Sequence, residues 1–73
     1  MRKILVFDSI HYVIKADKFL QKMGYKYEMI TTPREVSSNC GMSIEPDKTH
    51  FEQIFDYLIT QSFNLKIIEI NHG

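Results

Sequence analysis

The sequence predicts an α+β fold of the ferredoxin-like kind: a βαββαβ sandwich in which a four-stranded antiparallel sheet carries both helices on one face. Three observations lead there. Four short segments have strand character, two segments with apolar residues at helical spacing lie between the first and second and between the third and fourth of them, and the length of 73 residues accommodates one domain, 1–73. Right-handed crossovers then place both helices on the same side.

Each element has its own signal. Lys3 to Asp8 is a short run rich in branched residues, read as the first strand. Ser9 is a suitable N-cap for a helix with apolar residues at 10, 13, 14, 16, 20 and 23, and Gly24 is suited to end it. Tyr25, Tyr27 and Met29 alternate with Lys26 and Glu28, so residues 25–31 read as a strand with one buried face, stopped by Pro33. Met42 and Ile44 alternate with Ser43 and Glu45 in a third strand. Pro46 and Asp47 open the second helix, with Asp47 as its cap and Phe51, Ile54, Phe55, Leu58 and Ile59 on its inner stripe. Leu65 to Ile70 is the fourth strand. Ile4 to Phe7 is apolar at every position, and Ile68 and Ile70 fall on the opposite side from Leu65 and Ile67, so something is expected to cover the sheet face that bears no helix. A homodimer through that face is the expectation.

Composition narrows the function classes. An apolar share of 44% with five Phe and four Tyr is enough for one core and argues against disorder. Formal net charge is zero with both signs interspersed, which gives no electrostatic reason to expect nucleic acid or an anionic membrane as partner. The apolar run Ile4 to Phe7 is too short for a signal peptide or a span, so a cytoplasmic location is expected. His11, His50 and His72 show no ligand spacing relative to one another or to Cys40, and no phosphate loop or hydrolase motif is present; neither a metal nor a cofactor is expected. The carboxylates Asp47, Glu52 and Asp56 read as a solvated helix face.

The stretch TTPREVSSNCG, residues 31–41, has neither period and holds the only cysteine. It is longer than a hairpin needs. Gly41 permits backbone angles that let another molecule approach the Cys40 sulfur; Arg34 is a permanent cation able to favour thiolate; Ser37 and Ser38 can donate hydrogen bonds to a sulfur or selenium anion. On this reading Cys40 lies in a loop because its sulfur must be reached. The competing reading is equally open, because a lone cysteine is often a small buried hydrophobe.

The run Pro33-Arg34-Glu35-Val36-Ser37-Ser38-Asn39-Cys40-Gly41 resembles the signature of the putative selenium/sulfur carrier protein-like family: Pro-Arg, a spacer, an aliphatic residue, two small residues, a spacer, then Cys-Gly. The resemblance extends over nearly the whole chain. It implies a carrier that holds sulfur or selenium on Cys40 as a persulfide or selenosulfide, with donor and acceptor proteins as partners and no complete catalytic cycle of its own. Better-understood sulfur carriers have Cys-Pro-x-Pro at a helix start, whereas Cys40 here is followed by Gly41 and Met42. Two alternatives stand beside the carrier: a thiol redox partner or sensor acting through Cys40, which needs a second thiol from elsewhere, and a non-catalytic regulatory or interaction module.

Overall fold

Arg2–Phe7 forms strand β1 of the computed structural model, and four consecutive buried residues, Ile4 to Phe7, mark it as a strand covered on both faces. The structure describes residues 1–36 and 40–71. Helix α1 (Ile10–Met23) and strand β2 (Tyr27–Thr31) follow; then come β3 (Met42–Pro46), a short 3-10 turn (Lys48–His50), helix α2 (Phe51–Thr60) and β4 (Leu65–Ile70). The sheet order is β2-β3-β1-β4 with every neighbouring pair antiparallel. Helix α1 links β1 to β2 and α2 links β3 to β4, and in each case one strand of the other unit lies between the linked pair. The expected α+β class with its split βαβ pattern is thus the observed one.

Register separates the two faces. Met29 pairs with Ile44, Ile44 with Leu5, and Leu5 with Ile67, which puts these side chains in one row. On that side Leu5, Phe7 and Ile44 pack with Val13, Ala16 and Leu20 of α1 and with Ile54 and Leu58 of α2. A second cluster, Ile4, Val6 and Ile70 with Ile30, Ile68 and Val36 against it, lies on the face without helices. The wholly apolar first strand therefore has cover within the chain, and the empty apolar face that motivated a second copy there is largely filled.

Several local expectations are corrected. Ile10, Ile14 and Met23, counted in the first inner stripe, are 43%, 46% and 49% exposed, and Ile59 of α2 is 46% exposed. A helix resting on a sheet touches it along a narrow arc. Residues 13, 16 and 20 fill that arc, and 10, 14 and 23 lie outside it. Ser9 has the extended backbone of an N-cap and its carbonyl accepts from Tyr12 and Val13 at 3.1 and 3.3 Å, but its side chain makes no capping bond. Gly24 does end α1, in the left-handed region at φ 73°. Asp47 caps the 3-10 turn ahead of α2 and not α2 itself: its carboxylate accepts from the Thr49 amide at 3.2 Å and from the Thr49 hydroxyl. Those bonds, the hydroxyl first, hold its carboxyl below the usual carboxylate range. Strand β2 begins at Tyr27, two residues later than the alternation suggests.

A polar bond locks α1 to the edge strand. The Tyr27 hydroxyl lies 2.6 Å from Asp17 Oδ1 and 2.9 Å from the Asp17 carbonyl. Partial burial, then the hydrogen bond to Asp17, pushes the phenol up to about 12 from 10.0. The raised value means that the neutral phenol is favoured by the fold, so this stabilisation is complete below pH 10 and declines as the pH rises toward 12. Tyr27→Phe is expected to cost about 1 kcal/mol at neutral pH, and the gap between parent and variant should close in urea titrations run above pH 10. A constant gap across that range would remove the assigned role of the hydroxyl.

Candidate functional site

Local chemistry shapes the segment between β2 and β3. After the last β2–β3 pair, Thr31 with Met42, the Thr32 amide donates to the Gly41 carbonyl at 3.0 Å and closes the neck of the loop. Beside it the Thr32 and Ser43 hydroxyls share a 2.7 Å hydrogen bond, which satisfies Ser43 at full burial. Pro33 then fixes a turn, with the Val36 amide donating to the Pro33 carbonyl at 3.0 Å. Val36 rests on the apolar cluster of the helix-free face.

Cys40 goes the other way. It shares the phase of Met42 and Ile44 in β3, so its side chain joins the core on the helix side, in the cluster that contains Phe7 and Val13. Its Sγ donates to the Met42 carbonyl at 2.8 Å, and the residue is 9% exposed. The loop thus straddles the end of the sheet, with Val36 anchored on one face and Cys40 on the other. Of the two readings of this cysteine, the resting position is the buried one: alternation with β3 draws the sulfur inward.

The other expected site residues are placed as follows. Gly41 is exposed and left-handed at φ 72°, with no atom of the described residues beyond its chain neighbours within 4 Å of where a Cβ would stand, so its backbone angle is what requires glycine. Gly41→Ala should cost about 1 kcal/mol through backbone strain, read by thermal melting; an unchanged melt would show that the neck reshapes freely. Arg34 is exposed in the turn, and no hydrogen bond or ion pair of its guanidinium is found among the described residues. Ser37 and Ser38 lie outside the described residues. Val36 was legible only as one aliphatic residue in a polar loop; its anchoring role depends on which face the loop turns to. The Met42 carbonyl that receives the thiol has no sequence signal, being backbone.

A cavity of about 280 Å³ lies at the far end of β3, lined by Met1, Arg2, Lys3, Glu45, Pro46, Lys48 and Phe51. Within it Arg2 holds Glu45 by two bonds, 2.9 Å from Nε and 2.7 Å from Nη2. This hydrogen-bonded pair keeps the Glu45 carboxyl below its usual range. The cavity is separated from Cys40 by the length of a strand and shares no residue with the loop. Among the described residues no group of three His, Cys, Asp or Glu side chains is placed to hold a metal, and no helix is long and apolar enough to cross a membrane.

A family model described as "Putative Se/S carrier protein-like" matches residues 2–70, nearly the full chain. No match was found among curated proteins or among solved structures.

Proposed function

The chain belongs to the putative Se/S carrier protein-like family, and from that premise we propose that it carries sulfur or selenium on Cys40 between a donor and an acceptor protein. The observation that carries this reading is the position of the thiol: Cys40 is the only cysteine and stands outside the β3 ladder, which begins at Met42. Next to it Gly41 is exposed. A residue outside the ladder can turn outward without breaking a strand pair, whereas a cysteine within β3 could not.

The transfer balances as an exchange at sulfur. The Cys40 thiolate attacks the terminal sulfur of a donor persulfide, a new bond from Sγ to that sulfur forms, the donor sulfur–sulfur bond breaks, and the donor leaves as its thiolate. The acceptor thiolate repeats the step on the loaded carrier. A terminal selenium follows the same course. No outside oxidant or reductant is needed, because the transferred atom keeps its oxidation state. While the carrier is unloaded, the bond from Sγ to the Met42 carbonyl and the surrounding core keep the protonated thiol inside. On turning out, the terminal anion would meet the cation of Arg34 and the hydroxyls of Ser37 and Ser38.

The test is intact mass of the protein after incubation with a small-molecule persulfide or with a small-molecule selenosulfide, R–S–SeH, which passes on its terminal selenium by the same exchange. Loading by one chalcogen atom is expected in the parent, and Arg34→Ala should load more slowly with its fold unchanged. Oxygen addition without chalcogen loading would replace the carrier by a redox role, and an unmodified Cys40 under both treatments would leave a non-catalytic interaction module.

A further inference from the structure

The helices, and not the open sheet face, hold most of the large apolar side chains that this chain leaves in water. Ile10, Tyr12, Ile14 and Met23 of α1 and Ile59 of α2 are between 43% and 49% exposed. Charge on the same layer is segregated. Lys15, Lys18 and Lys22 are spaced three and four apart, so all three point along one line on the outer side of α1, opposite the buried Val13, Ala16 and Leu20. The acidic residue of that helix, Asp17, is turned aside to Tyr27 and Gln21. On α2 the exposed charges are Glu52 and Asp56, again on one line and opposite the buried Ile54 and Leu58, with Ile59 between their rows. The net charge of zero therefore hides a basic helix beside an acidic one.

We infer that the helical layer docks on the helical layer of a second copy of this chain, with the lysine row of each α1 against the carboxylate row of the partner's α2. A two-fold axis running parallel to the helices and between the layers produces this pairing twice, because it exchanges the left and right positions of the two helices while keeping their direction. Both contacts are then attractive, and the exposed isoleucines that border them leave water together. Pairing like helices would set lysine against lysine at α1 and carboxylate against carboxylate at α2. Exposed ion pairs contribute little energy individually, so their part is to select the orientation while the apolar side chains supply the area. The inference is independent of the reaction at Cys40, which lies on the inner side of the same layer, in the core.

Sedimentation of the parent over a range of concentrations should show a monomer–dimer equilibrium whose dissociation constant rises about tenfold or more between 50 mM and 500 mM salt, because the pairs are screened. Lys15→Glu with Lys18→Glu and Lys22→Glu should give a folded monomer, and so should Glu52→Lys with Asp56→Lys. An equimolar mixture of the two charge-reversed proteins should recover the dimer, since both contacts again oppose unlike charges. Circular dichroism of each variant confirms that the exposed substitutions leave the fold intact, and the salt series on the parent needs no variant. A parent that stays monomeric, a dimer indifferent to salt and to charge reversal, or monomeric variants that fail to associate on mixing would each overturn the inference. An association lost on substituting Ile68 on the sheet face, but kept in the charge-reversed proteins, would assign it to that face instead.

Discussion

Leu58→Ala is expected to lower the unfolding free energy by about 2 to 5 kcal/mol, out of a total of about 4 to 11 kcal/mol for a chain of this length. Leu58 is fully buried, one helical turn from the equally buried Ile54, so truncation leaves a cavity between α2 and the sheet. The backbone closure of the helix end survives, since alanine keeps the carbonyl, but Phe63 of the same core cluster loses packing there. The Leu58 carbonyl accepts from Phe63 at 3.0 Å across a turn in which Ser62 is left-handed at φ 67°, and Phe63 packs edge-on against Phe7 and Phe19 at centroid distances of 6.0 and 5.6 Å. Phe55→Ala makes the control. Phe55 is half-buried and stacked on Phe51 at 6.3 Å, where water can enter the space left behind, so its truncation should cost less, about 1 to 2 kcal/mol. Urea unfolding of the two variants measures the difference; equal losses would mean that α2 is rotated from the register described.

Replacing Cys40 by alanine should abolish chalcogen loading completely, the largest effect expected on function. The cost in stability should be only about 1 kcal/mol, since one sulfur atom leaves a small gap at the margin of the core. Cys40→Ser separates the two roles of this residue: a hydroxyl can still donate to the Met42 carbonyl in place of Sγ, so the fold is retained, while no persulfide can form. Loss of loading in both variants, with melting temperatures near that of the parent, is the expected pattern. Loading that survives in Cys40→Ala would place the chalcogen elsewhere and end the carrier reading.

Sequence by itself determined the order of elements, because alternation and helical spacing are properties of neighbouring residues. Met29, Ile44 and Leu5 fall in one buried row as the strand period requires, Gly24 ends α1 where a left-handed residue was expected, and the position of Ile68 and Ile70 opposite Leu65 followed from parity. The family expected from the sequence is also the one whose model matches residues 2–70. What required tertiary structure was everything set by contact between distant segments. Ile10 and Val13 have equal claim to an inner stripe by composition, and only the line along which α1 meets the sheet decides that Val13 is buried and Ile10 is not. Phe63 follows α2 in a stretch without periodicity, and it enters the core because the chain reverses at Ser62. The sequence leaves Cys40 open between a reachable loop sulfur and a small buried hydrophobe, and its burial follows from the phase of β3 and from the Met42 carbonyl, a backbone atom that no residue type announces. The contact of Val36 with the Ile4 and Val6 cluster was likewise invisible, since it requires the loop to turn to the face without helices. A chain's periodicity is local, whereas the side of the sheet to which an irregular loop folds is decided by which apolar surface remains to be covered once the regular elements have packed.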